Sequence, residues 1–124
     1  MSDHAKDQAL EATYGARTLH ASQDFRDFAA QGARLVARGR AAYDEDEMLR
    51  LASDAIIVKL GESVVRMSDD FVTDHPELPL RVIKDMRNLV AHQYDAIRPQ
   101  LVWNALNREL PVVDYAVGRL LDTR

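Results

Sequence analysis

MLRLASDAIIVKLGESVVRMSDDF, residues 48–71, is the stretch on which the fold turns. Its apolar side chains at Met48, Leu51, Ala52, Ala55, Ile56, Leu60, Val64, Met67 and Phe71 recur at threes and fours. That spacing predicts one long amphipathic helix running to about Phe71. Gly61 within it costs about 1 kcal/mol of helix propensity relative to alanine, and a close approach by another helix is the expected compensation. Just upstream, Asp44 followed by Glu47 resembles a capping box, with its acidic residues well placed against a helix N-terminus.

The same period appears on both sides of this segment. From Leu19, the positions Phe25, Phe28, Gly32, Leu35 and Val36 mark a first helix, which Gly39 and the run GRAAY are expected to end. HPELP, residues 75–79, reads as a turn, because each proline pushes the residue before it out of the helical region. A third helix then follows on Leu80, Ile83, Met86 and Val90. IRP, residues 97–99, interrupts it, and Pro99 suits the first turn of a new helix. That last helix carries Leu101, Val102, Leu106, Leu110, Val113, Val117, Leu120 and Leu121, with a kink or split expected at Pro111. Residues 1–15 are polar and weakly periodic, a tail or a helical extension ahead of a helical domain over residues 16–124. Nothing reads as a strand, so the expected fold is all-α, an up-and-down antiparallel bundle of four to five helices.

Composition narrows the chemistry. The chain has 124 residues, enough for one core, and its 47% hydrophobic and 29% charged content is that of a soluble globular protein. It has no cysteine, which excludes disulfides, thiolate metal sites and thiol nucleophiles and fits a cytoplasmic location. No stretch approaches the roughly 18 apolar residues of a membrane span, and the start of the chain lacks the apolar core of a secretory signal. A net charge of −4 argues against a broadly basic coat for nucleic acid, yet leaves room for a local basic patch.

RNLVAHQY, residues 87–94, concentrates the reactive side chains. Leu89 and Val90 are expected to be its buried residues. Arg87 and Tyr94, seven apart, fall nearly on one line, while Asn88 and His92, four apart, share a neighbouring face. Arg87 and His92 are separated by about 140° on a regular helix. They serve one reacting group only if the helix ends or distorts near His92, or if a second chain contributes. Taken alone, a histidine near a helix C-terminus most often caps or faces water, and an arginine and tyrosine on one face most often pack together at the surface. Asp69, Asp70, Asp74 and His75 straddle a helix end and a turn, better read as a solvated terminus than as a metal site.

The wider context gives the motif its meaning. The chain resembles the HepT-like family of the HEPN superfamily, whose motif is Arg, four residues, His, one residue, Tyr, met here by Arg87, His92 and Tyr94 with Asn88 after the arginine. LGES, residues 60–63, is similar to the Gly-Glu segment of the family's second long helix. DHPELPL is similar to its turn before the motif helix, and LVWNALNRELP to its downstream stretch. The resemblance covers residues 19–121 and departs from the family pattern at Asp95, Ala96 and Arg98, which changes the charge beside the site.

The resemblance implies an HEPN-like fold and a homodimer with its motif in a cleft at the two-fold interface. It implies a metal-independent ribonuclease toxin with no cofactor, in which Arg87 and His92 are catalytic and Asn88 and Tyr94 support or bind the RNA substrate. It further implies an antitoxin partner, a nucleotidyltransferase of the MNT type, that transfers AMP to Tyr94. Arg81, Lys84 and Arg98 are expected to extend the cleft electrostatically. The alternative is a non-catalytic helical module that binds such a transferase or is modified by it.

Overall fold

The computed structural model describes residues 4–92 and 98–122. Every regular element among them is helical: α1 (Ala5–Tyr14), α2 (Ala16–Val36), α3 (Arg40–Glu45), α4 (Glu47–Arg66), α5 (Asp69–Asp74), α6 (Leu80–His92) and α7 (Arg98–Asn104), which passes through a π-helical turn, Ala105–Glu109, into α8 (Leu110–Gly118). The expected all-α bundle is what forms. Its central pair is α2 and α4, with α6 packed on α4, and α1 and α8 packed on α2. Phe25, Ile57, Leu60, Phe71, Ile83, Leu106 and Val117 are all but removed from solvent at its centre.

Several boundaries differ from the sequence expectation, each for a local reason. RAAYDE does not end α2 but folds as α3, after a turn in which Gly39 takes φ 92°, a left-handed conformation open chiefly to glycine. The turn buries Tyr43, whose hydroxyl donates to the Pro99 carbonyl at 2.8 Å and whose ring lies 5.0 Å from that of Trp103. Asp44 is therefore inside α3, paired with Arg40 at 2.8 Å. The cap of α4 is Asp46, whose carboxylate accepts from the Met48 amide at 2.9 Å.

α4 stops at Arg66 rather than at Phe71, because Met67 is extended and Ser68 caps a new helix by accepting from the Phe71 amide at 3.1 Å. A serine followed by two aspartates is a strong helix start, and the Ser68 amide also donates to Thr18 Oγ1 on α2 at 3.0 Å.

The buried stripe of α4 differs too. Ser53, Ile56, Ile57, Leu60 and Val64 face the core, whereas Met48, Leu51, Ala52 and Ala55 are exposed. On α6, Leu80, Ile83 and Met86 are buried and Val90 packs against the core. Leu89, expected inside, is only half-buried, since nine residues from Leu80 it points to about the opposite side of the helix. Pro111 causes no abrupt break. It sits in the first turn of α8, and the π turn before it loosens the backbone where the ring would otherwise crowd the carbonyl four residues back.

The polar start of the chain is a docked helix rather than a frayed tail. Asp122 accepts from the amides of Lys6 (3.4 Å) and Asp7 (3.2 Å), and Asp7 accepts from the Asp122 amide at 2.9 Å. At the other end of α1 the Tyr14 hydroxyl donates to Asp74 at 2.8 Å, with its ring edge-on to Phe71. Inside the bundle, Gly61 is where α6 comes closest to α4. A Cβ there would meet Arg87 Cδ at 2.6 Å, which is the compensation its helix cost requires.

The two candidate caps separate by mutation. Asp46→Ala should cost about 1 kcal/mol and Asp44→Ala, an exposed i,i+4 pair, under about 0.5 kcal/mol, both read from urea denaturation midpoints. Equal losses would return the cap to Asp44.

Candidate functional site

α6 carries the motif, and its apolar stripe decides which way each motif side chain points. Arg87 lies seven residues from Leu80, within about 20° of the same line, so it belongs to the core-facing stripe. It is half-buried there, its aliphatic stem laid against Gly61 of α4. An arginine can hold this place because its stem packs as an apolar chain while its charged end reaches water. Among the described residues no carboxylate forms an ion pair with Arg87.

Asn88 and His92 are exposed and lie one turn apart on a flank of α6, as their spacing implies, with His92 the last described residue of that helix. α6 is α-helical from Leu80 to His92, so no distortion brings His92 round to Arg87 and the separation of about 140° stands within one chain. Tyr94, with Asp95 and Ala96, lies outside the described residues.

The flank that bears Asn88 opens on a groove of about 690 Å³ between the end of α4, α5 and the first turns of α6. Val64, Val65 and Val72 form an apolar wall, and Arg81, Lys84 and Asn88 line the opposite side. Arg81, Lys84, Asn88 and His92 follow one another up this flank at spacings of three and four, so the groove leads towards His92. Asp69 and Asp85 also line the groove and offset the charges of Arg81 and Lys84. The sequence reading missed the contribution of α5, with Thr73 and Val72. The signal for it was the Ser-Asp-Asp helix start at Ser68.

Arg98 does not join this group. Its guanidinium donates to Asp54 on α4 at 2.9 Å, in a pair that is largely shielded from solvent. Asp69, Asp70, Asp74 and His75 form no shared site either. Asp74 accepts from Tyr14, while His75 Nδ1 lies 2.9 Å from the Phe71 carbonyl and its ring rests against that of Phe71. His4 meets Asp7 and Asp122 where α1 docks on the C-terminal turn.

Burial raises the Asp54 carboxyl above its ordinary 3.8, with Arg98 opposing, and does the same to Asp114 beside Arg26. A carboxyl raised on folding keeps a proton that the unfolded chain releases. These two groups therefore favour the folded state below pH 3.8 and withdraw that advantage as pH rises through their folded-state values. Urea midpoints followed upward from pH 3.8 should fall less in Asp54→Asn than in wild type, and an unchanged slope would refute the linkage.

Comparison with known proteins gives the family. Residues 18–120 match the family described as "Ribonuclease HepT-like". A candidate RNase of Caldanaerobacter subterraneus subsp. tengcongensis is 25% identical over 77 residues, 62% of this chain and 69% of that protein. A candidate RNase of Methanocaldococcus jannaschii is 25% identical over 52 residues, 42% of this chain and 43% of its relative. A protein of Thermococcus cleftensis named "Probable ribonuclease HepT" is 29% identical over 52 residues, 42% of this chain and 47% of its own. In the last two the match thus spans less than half of the relative. No solved structure matches at the same significance. With the family match running across α2 to α8 and over the whole motif, the chain belongs to the HepT-like ribonuclease family.

Proposed function

We propose that the protein is a metal-independent endoribonuclease, the toxin of a toxin–antitoxin pair, acting in the cytoplasm through Arg87 and His92. The observation that carries this reading is the alignment of Arg81, Lys84 and Asn88 along the groove, with His92 one turn further on the same flank of α6 and Arg87 held beside it. A phosphodiester backbone lying along such a flank meets cations first and the imidazole at its far end.

The RNA supplies its own nucleophile, the 2′-hydroxyl. His92 supplies the imidazole on this flank, a group able both to give and to take a proton, so it exchanges protons with the 2′-hydroxyl or the departing 5′ oxygen. The planar guanidinium of Arg87 meets the charge that builds on the phosphate oxygens. Asn88 orients the imidazole or holds the substrate, and Tyr94 stacks on a base or donates to the phosphate. Incubated with RNA in EDTA, wild type should cleave, and His92→Ala or Arg87→Ala should lose at least about 100-fold of the rate. Cleavage equal in wild type and His92→Ala would overturn the enzymatic reading.

The angle between Arg87 and His92 is resolved by pairing two copies. The outer side of α4 supports a homodimer: Met48, Leu51, Ala55, Val58 and Val65 fall on a three-and-four repeat, and all but the half-buried Val58 are exposed. A repeat of that kind is the seam by which helices pair, and it runs beside the contact between α4 and α6 where Arg87 emerges. Leu51→Glu should shift the protein from dimer to monomer in sedimentation and reduce cleavage in parallel. A monomeric wild type, or a monomeric variant with full activity, would remove the dimer cleft.

The partner in this reading is a nucleotidyltransferase antitoxin of the MNT type that joins the α-phosphate of ATP to the Tyr94 oxygen, releasing pyrophosphate while the phenol gives up its proton. AMP placed there adds negative charge and bulk beside Arg87 and His92. A mass gain of one AMP in wild type and none in Tyr94→Phe is the expected result. The net charge of −4 and the engagement of Arg98 by Asp54 favour a second reading, a non-catalytic module that serves only as the transferase's partner. Modification without any RNA cleavage would select it.

A further inference from the structure

We propose that Gly61 is a positioning residue for Arg87: bare backbone on α4 forms a slot across which the arginine stem lies, and the slot sets where the guanidinium stands. The inference rests on the ribonuclease reading above. A Cβ at position 61 would lie 2.6 Å from Arg87 Cδ, 2.7 Å from its Cβ and 2.9 Å from its Cγ. Three consecutive carbons thus straddle one point, so the side chain crosses the glycine rather than touching it with its tip. Arg87 Cβ is fixed to the backbone of α6, and no rotation of the side chain clears that contact. Any residue larger than glycine must push α6 away from α4.

The other glycines packed inside helices differ. A Cβ at Gly32 would meet the far end of the Leu110 side chain at 2.9 Å and Leu106 at 3.5 Å, and at Gly118 it would meet the guanidinium of Arg26. Those contacts are with the far ends of side chains, not with a Cβ fixed to the facing helix.

Packing, rather than an ion pair, therefore holds Arg87. Its stem is fixed on Gly61, and among the described residues no carboxylate engages its charge. By contrast Arg26, Arg40, Arg66 and Arg98 are each paired with an aspartate. A cation aimed by an apolar slot keeps its full charge for the phosphate and needs little reorganisation when charge develops there.

The test compares Gly61→Ala with Gly32→Ala on a short RNA in EDTA, with the folded fraction followed by circular dichroism. Gly61→Ala should lower kcat about 100-fold, the scale for an ångström-sized misplacement, with KM close to wild type. The NMR signal of the Arg87 Nε–Hε group, assigned by its loss in Arg87→Lys, should pass from ordered to mobile. Gly32→Ala should leave both readouts unchanged. A folded Gly61→Ala with wild-type kcat, or with an unchanged Nε–Hε signal, overturns the inference and leaves the ribonuclease reading standing. A wild type that does not cleave RNA overturns that reading and this inference with it. If Gly61→Ala does not fold, the pair Gly61→Ala/Arg87→Gly decides. Recovery of the helical fold, as the vacated stem makes room for the methyl group, supports the slot, and a pair that stays unfolded overturns it.

Discussion

Everything in this bundle is arranged around α4, which is apolar on two opposite sides. Its inner line, Ile56, Ile57, Leu60 and Val64, meets α2 and α6 and is buried. Its outer line keeps Met48, Leu51 and Val65 more than half exposed, at 70%, 53% and 52%. The fold thus buries one apolar line of α4 and leaves the other in water. Between the two lines stands Gly61, where α6 comes closest. The same helix therefore organises the core, sets the distance to the motif helix and leaves an apolar seam beside the motif.

The two-sidedness of α4 also explains what could be read from the sequence and what could not. Helix type and order were legible, because period and turn signals agreed at HPELP, whereas Ile97 of the expected break at IRP lies outside the described residues. The inward face of α4 was not. With apolar residues on both sides, Met48, Leu51 and Ala55 join Ile56, Leu60 and Val64 in one apparent stripe, although they face away from it. The break at Ser68 escaped because Met67 and Phe71 continue the period and are both buried, although a capped turn separates them. α1 is anchored by backbone-to-carboxylate bonds with Asp122, over a hundred positions away, and such a contact leaves no periodic trace.

The site was legible in a different sense. Spacing placed Asn88 and His92 on one flank and set Arg87 apart from His92, and both relations follow from the regular helix Leu80–His92. Spacing could not disclose that Arg87 lies on the core-facing stripe. That depends on position 61 of another helix, and no pattern within α6 records it. Nor could it show that Arg98, close to the motif in sequence, is drawn to Asp54 instead.

Charge makes the same point at the scale of the whole molecule. A net charge of −4 describes the sum, whereas a phosphate meets the local arrangement. Many of the carboxylates are occupied in holding helices together: Asp24 with Arg66, Asp54 with Arg98, Asp114 with Arg26, and Asp46 as a cap. The three paired acids are offset where they stand and contribute little field at a distance. On α6, Arg81, Lys84 and Arg87 form no ion pairs among the described residues, with Asp69 and Asp85 the acids that line the groove beside them. An acidic chain can thus present a cationic flank, provided its anions are spent on its own scaffold. Because that flank is solvent-exposed, its pull on any polyanion weakens as salt rises, over a screening distance of about 10 Å at 0.1 M ionic strength. The half-buried Arg87 is screened less, so in the ribonuclease reading proposed above attraction along the groove and charge stabilisation at the phosphate would come from differently shielded cations.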